Sequence, residues 1–168
     1  MENWPDFKPD ALLRRLVAHG VDFVIVGGMA MVLHGSARLT RDLDICYSTD
    51  PANLDALGAA MVELGARLRD VSQDVPFVPD ASTLRRTTIL TLDSDDGRID
   101  LLASPAGAPP YPQLRERATR TTFDGRAILI ASLDDMEAMK RAAGRPRDLL
   151  DVEEIEVIRR LRRQLGRD

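Results

Sequence analysis

Apolar positions along the chain recur with two periods, and the period changes where glycine, proline or aspartate punctuates it. After Asp10, which can cap a helix, Leu12, Leu13, Leu16 and Val17 form one stripe that ends at His19-Gly20. Val21 to Val26 is a short β-branched run and predicts a buried strand. Gly27-Gly28 interrupts it, and Met29 to His34 predicts a second, short helix closed by Gly35. From Arg41 to Tyr47 polar and apolar residues alternate, which predicts a strand with Asp42 and Asp44 on one face. Asp50-Pro51 then opens a helix that reaches Leu64 and stops at Gly65.

Residues 67–81 show no clear period. Arg86 to Leu92 and Arg98 to Leu102 predict two strands around the turn Ser94-Asp95-Asp96-Gly97, and residues 103–112 predict a loop. A short helix is expected over Pro112 to Ala118, and a second hairpin over Thr119 to Phe123 and Arg126 to Ile130, turning at Asp124-Gly125. Ser132-Leu133-Asp134-Asp135 starts a helix that runs to Ala143 and breaks at Gly144 and Pro146. A final helix, Pro146 to Leu165, carries Leu149, Val152, Ile155, Ile158 and Leu161 at helical spacing. Trp4 and the first leucine stripe are expected in the core. The order predicts an α/β (α+β) domain, a mixed β-sheet flanked by helices with a helical C-terminus. Its core is expected over residues 1–131, with a helical extension, 132–168, packed on it.

At 168 residues the chain is long enough for one well-filled domain, and 44% hydrophobic with 30% charged residues excludes a disordered chain. No apolar run reaches the roughly 20 residues of a membrane helix. The start, Met-Glu-Asn-Trp-Pro-Asp, lacks the basic and apolar regions of a secretion signal, which predicts a cytoplasmic protein without membrane partners. A single cysteine, Cys46, excludes an intramolecular disulfide and is expected buried and inert; with two histidines it leaves no zinc spacing. Of 23 basic residues only Lys8 and Lys140 are lysines. Arginine suits bidentate phosphate binding, while codon bias explains the excess without function.

The chemistry concentrates between residues 26 and 45. A helix that starts after Gly27-Gly28 presents backbone N–H groups to an anion, and glycines let a phosphate come close. Asp42 and Asp44 project together from one strand face and repel when both are ionised, unless a divalent cation shares them. Alone such a pair reads as solvated surface; after a strand, Gly-Gly and a helix it reads as a Mg²⁺-nucleotide site.

Val26-Gly27-Gly28, thirteen intervening residues and then Asp42-Leu43-Asp44-Ile45 resembles the signature of the polymerase-β-type nucleotidyltransferase superfamily. The longer string, Gly27 to Gly35 followed by Arg38-Leu39-Thr40-Arg41-Asp42-Leu43-Asp44, is similar to its minimal bacterial members. Those include AbiEii-like proteins of toxin–antitoxin systems and small antibiotic nucleotidyltransferases. The resemblance is strong over residues 20–47 and implies the nucleotidyltransferase fold. It also implies transfer of an NMP from an NTP to an acceptor hydroxyl, with release of pyrophosphate and with Mg²⁺ or Mn²⁺ as cofactor.

By the same resemblance Asp42 and Asp44 bind metal and Asp100, in Gly97-Arg98-Ile99-Asp100-Leu101-Leu102, is the third metal-binding carboxylate and general base. Asp93, Asp95 and Asp96 compete for that role, but their position predicts turn chemistry. Gly28 departs from the Gly-Ser pair of many superfamily members, so no side chain at 28 contacts phosphate. Arg38, Thr40 and Arg41 read either as triphosphate or acceptor contacts or as an exposed loop.

Lys140-Arg141 followed by Gly144-Arg145-Pro146-Arg147-Asp148 and Asp151 resembles the AbiEii-like C-terminal motif. It implies Lys140 and Arg145 as nucleotide contacts and Asp148 as an accessory catalytic group; a salt-bridged helix pair is the structural alternative. The acceptor is open between a tRNA 3′ end and a small molecule such as an aminoglycoside. A net charge of −4 weighs against nucleic acid. A cognate antitoxin is an implied partner, and a non-catalytic component that binds a protein is the rival reading. His34 is expected to be structural, and Arg159, Arg160, Arg162 and Arg163 solvated or paired with glutamate.

Overall fold

The apolar run after Gly20 forms strand β1, Phe23–Val26, all four residues buried, in a computed structural model that describes residues 6–72 and 74–166. Before it lies α1, Pro9–Ala18, and directly after it α2, Gly27–Leu33. There follow β2, Asp42–Tyr47; α3, Pro51–Glu63; β3, Arg67–Leu68; and α4, Ala81–Arg86. The hairpin β4, Ile89–Ser94, and β5, Gly97–Leu102, leads through α5, Tyr111–Arg117, to the hairpin β6, Thr119–Phe123, and β7, Arg126–Ile130. Two helices end the chain, α6, Leu133–Ala143, and α7, Pro146–Gln164. Trp4, expected in the core, lies outside the described residues.

The seven strands form one sheet in the order β3-β4-β5-β2-β1-β7-β6. It is mixed: β2 pairs antiparallel with β1 and parallel with β5, and β1 pairs parallel with β7. The β2–β5 register sets Asp42 beside Arg98 and Asp44 beside Asp100. Because side chains alternate across a strand, Asp42, Asp44 and Asp100 share one face. Leu43, Ile45, Ile99 and Leu101 fill the other and are fully buried. Met136 of α6 and Ile155 and Ile158 of α7 belong to the same hydrophobic core. Among the described residues no helix is long and apolar enough to cross a membrane.

The structure differs from the sequence reading in three places. Asp80, in the stretch without a period, caps α4 by accepting the Thr83 N–H at 2.9 Å, so residues up to Arg86 are helical and β4 begins only at Ile89. Ser94 and Gly97 pair with each other, which extends both strands and shortens the turn to Asp95-Asp96. On α7 the side chains of Leu149 and Leu161 point outward, while Asp148 and Asp151 take inner positions beside Val152, Ile155 and Ile158. Cations meet both aspartates there, Lys140 and Arg145 at Asp148 and Lys140 and Arg38 at Asp151.

Candidate active site

Gly27 carries the chain from β1 into α2 with φ +65°, and a Cβ on it would stand 2.7 Å from the Asp44 carboxyl carbon. Glycine is therefore required twice, by backbone conformation and by the approach of Asp44. A Cβ at Gly28 would meet the Thr40 hydroxyl at 2.8 Å. That hydroxyl also lies 3.1 Å from Asp42 Oδ1, to which it donates. Thr40 thus fills the space beside Gly28 and orients the first carboxylate.

One carboxylate oxygen from each of Asp42, Asp44 and Asp100 lies within 4.8 Å of the others. Burial pushes the Asp44 carboxyl up to about 7, and the charges of Asp42 and Asp100 push the same way. Lys140 and the Gly28 amide act in the opposite direction. Burial raises Asp100 as well, against the pull of Arg69. Three half-buried carboxylates offer hard, acceptor-only oxygens with an excess of negative charge, a donor set that fits a divalent Mg²⁺-like cation.

Arg69, just past β3, donates from Nη2 to Asp100 Oδ1 at 2.7 Å and to the Leu92 carbonyl at 3.1 Å. Its Nε and the Nε of Arg98 stand 3.5 and 3.4 Å from Asp93 Oδ1. Asp93 is thus a strand residue that spaces two arginines. Asp95 and Asp96 occupy the turn as expected, leaving Asp100 as the third carboxylate of the cluster. Sequence reading missed Arg69 because it lies in the stretch without a period. Its one signal is that it continues the alternation of Arg67 past the strand's last residue.

The break between α6 and α7 brings the second constellation together. Gly144, with φ +64°, closes α6, and the Asp148 carboxylate accepts the Arg145 N–H at 3.1 Å to cap α7. Asp148 also pairs with Arg145 Nε at 2.6 Å and lies 3.5 Å from Lys140 Nζ, and these contacts hold its carboxyl below the usual range. Lys140 Nζ is 2.6 Å from Asp151 Oδ2, and Asp151 pairs on its other oxygen with Arg38. The charges of Lys140 and Arg145 are both felt at Asp44 or feel it, so this cluster borders the acidic triad. Arg38 and Lys140 are held on carboxylates, whereas Arg41 is exposed, with no ion pair among the described residues.

The remaining candidates are structural. His34 Nε2 lies 2.7 Å from the Ala131 carbonyl, which can only accept, so the proton sits on Nε2 and Nδ1 faces Arg162 Nη2 at 2.9 Å. Cys46 is buried, and burial pushes its thiol up to about 11. Arg159 pairs with Glu137 and Glu156 at 2.5 and 2.6 Å, as well as with Asp134.

Residues 11–158 match the family described as nucleotidyl transferase AbiEii toxin, type IV toxin–antitoxin system. The chain belongs to this AbiEii family. It is thereby a nucleotidyltransferase. No curated protein sequence matches the chain. Among solved structures, the AbiEii chain is similar to the lincosamide antibiotic adenylyltransferase LnuA bound to lincomycin, with TM-score 0.61 and 15% identity over 92% of this chain and 99% of that one. It is also similar to ANT(2")-Ia in complex with adenylyl-2"-tobramycin, with TM-score 0.53 and 16% identity over 94% and 98% of the two chains. An antigenic nucleotidyltransferase-like protein from Paracoccidioides brasiliensis follows, with TM-score 0.50 and 21% identity over 90% and 73%. At these identities the likeness shows a shared fold.

Proposed function

We propose that this AbiEii-family chain transfers an NMP from an NTP to an acceptor hydroxyl, releasing pyrophosphate, with Asp42, Asp44 and Asp100 holding Mg²⁺ or Mn²⁺. The observation that carries the reading is the convergence of these three carboxylates within 4.8 Å. When bound, the divalent cation neutralises the carboxylates and the departing pyrophosphate and lowers the pKa of the attacking hydroxyl. The protein supplies the rest. Gly27-Gly28 keeps the backbone bare for close approach of the triphosphate, and Thr40 orients Asp42. Arg69 steers Asp100, which accepts the proton of the acceptor hydroxyl. Arg38, Arg41, Lys140 and Arg145 are the phosphate contacts, and Asp148 fixes Lys140 and Arg145 in place. The helical extension 132–168 thus contributes two of the four phosphate contacts, Lys140 and Arg145, and the core 1–131 the other two.

Membership of a type IV toxin family supports a tRNA 3′ end as acceptor and a cognate antitoxin as partner. A small-molecule acceptor is the second reading, supported by the fold shared with the lincomycin and tobramycin adenylyltransferases. The test is incubation with each labelled NTP, Mg²⁺ and either total RNA or an aminoglycoside panel. Label is expected in RNA, and Asp44→Ala is expected to abolish it. Transfer that survives Asp44→Ala would sink the assigned mechanism, and label in the antibiotic alone would replace the acceptor.

A further inference from the structure

The outer face of α7 carries large apolar side chains that the fold leaves bare. Leu150, Val157 and Leu161 are 64%, 49% and 51% exposed, and Leu165, at the C-cap, 65%. The steps from Leu150 to Val157 and on to Leu161, seven and four residues, keep them on one line along the helix. The inner face of α7 is already used, by Asp148 and Asp151 at the site and by Val152, Ile155 and Ile158.

Charge on this helix is segregated along its axis. Apart from Arg147 in the first turn, the acidic residues Asp148, Asp151, Glu153, Glu154 and Glu156 all precede the basic ones, Arg159, Arg160, Arg162 and Arg163. Arg159 is consumed by Asp134, Glu137 and Glu156. Glu153 and Arg160 are both exposed and make no ion pair among the described residues. Seven residues apart, they lie on the same flank of the apolar line and bracket Val157. Such a helix repels a parallel copy of itself and is complementary to an antiparallel one.

We propose that α7 is a self-association face, joining two copies of this chain by antiparallel α7–α7 packing about a two-fold axis near residues 156 and 157. That axis sets Glu153 of each copy against Arg160 of the other and brings the two Val157 side chains together, the self-complementarity an isologous contact requires. The 19 residues of α7 give a face about 28 Å long. One helix face of that length falls short of the roughly 1,200 Å² of a stable standard interface, so the dimer is expected in the micromolar range. None of these residues belongs to the acidic triad, and the inference stands apart from the proposed reaction.

Sedimentation velocity of the full chain between about 5 and 500 µM tests it, bracketing a micromolar Kd. The wild type is expected to pass from monomer to dimer across that range, and Val157→Asp to remain monomeric with an unchanged circular-dichroism melt. Glu153→Arg and Arg160→Glu are each expected to weaken association about fivefold or more, because the two-fold axis doubles every pair. The double variant regenerates both pairs and is expected to return to within about twofold of the wild type. If Val157→Asp melts early, the charge-reversal series decides alone. A wild type that is monomeric throughout overturns the proposal and leaves the face to a different chain. A double variant no better than the single ones overturns it equally.

Discussion

Asp44 sits against Gly27, beside Asp42 and Asp100, with its carboxyl pushed up to about 7 by burial and by those two charges. The folded protein therefore keeps a proton that the unfolded chain releases near 3.8. Between those two values each rise in pH favours unfolding, so metal-free stability is expected to fall from about pH 4 to pH 7 and stay lowered above it. Asp44→Asn removes that penalty. In EDTA at pH 8 it is expected to raise unfolding stability by about 1–3 kcal/mol while abolishing nucleotidyl transfer, checked by urea denaturation beside the labelled-NTP assay. A variant that is both inactive and less stable than the wild type would show that Asp44 is not held against its own charge. Gly28 allows a second test at the same depth. Gly28→Ser restores the pair common in the superfamily, but its Cβ meets the Thr40 hydroxyl at 2.8 Å. We expect Gly28→Ser to lose at least about tenfold in kcat/KM, and Gly28→Ser with Thr40→Ala to recover much of it. Non-recovery would mean that Thr40 itself is indispensable.

Helix and strand order was legible where a cap or glycine marked a change of period, as at Asp50-Pro51, Gly27-Gly28 and Ser132. It was illegible between residues 67 and 81, because β3 is two residues long and α4 depends on one Asp80 cap. That short strand delivers Arg69, whose role exists only through its contact with Asp100, 31 residues away. On α7 the apolar period itself misled: Leu149 and Leu161 keep helical spacing yet face outward, because Asp148 and Asp151 turn inward to meet Lys140, Arg145 and Arg38. The α6–α7 joint is therefore held by charge as much as by apolar packing. Removing one partner of such a buried set leaves the others uncompensated. Asp148→Ala is expected to destabilise by about 3–5 kcal/mol. Asp148→Asn, which can still accept the Arg145 N–H, is expected to cost less; the ranking is read from chemical unfolding, and equal losses would refute the capping role.

The assembly of the site depends on strand order that no local pattern contains. Gly27, Asp42 and Asp44 were readable together because only 14 residues lie between Gly27 and Asp42 and the resemblance covers them. Asp100 arrives only because β5 inserts beside β2, in parallel and in the register that sets it next to Asp44. Lys140 and Asp148 arrive because the helical extension folds back over the same end of the sheet. The net charge of −4 averages over this arrangement and conceals it, since three of the 27 acidic residues are concentrated at one point and only partly offset by Arg69 and Lys140. On the proposed reading a divalent cation that neutralises the cluster would bind the folded chain and not the unfolded one, and would stabilise the fold by mass action. At a hundredfold excess over its Kd the gain is about 2.7 kcal/mol, or roughly 5–10 °C in melting temperature for a chain of this size. Because Asp44 takes up a proton below about 7, the Mg²⁺-induced shift is expected to be full at pH 8 and to shrink towards pH 5. Equal ionic strength of NaCl should not reproduce it, and Asp100→Asn should reduce it at every pH. A shift that is independent of pH, or that survives Asp100→Asn in full, would place the cation elsewhere on the acidic surface.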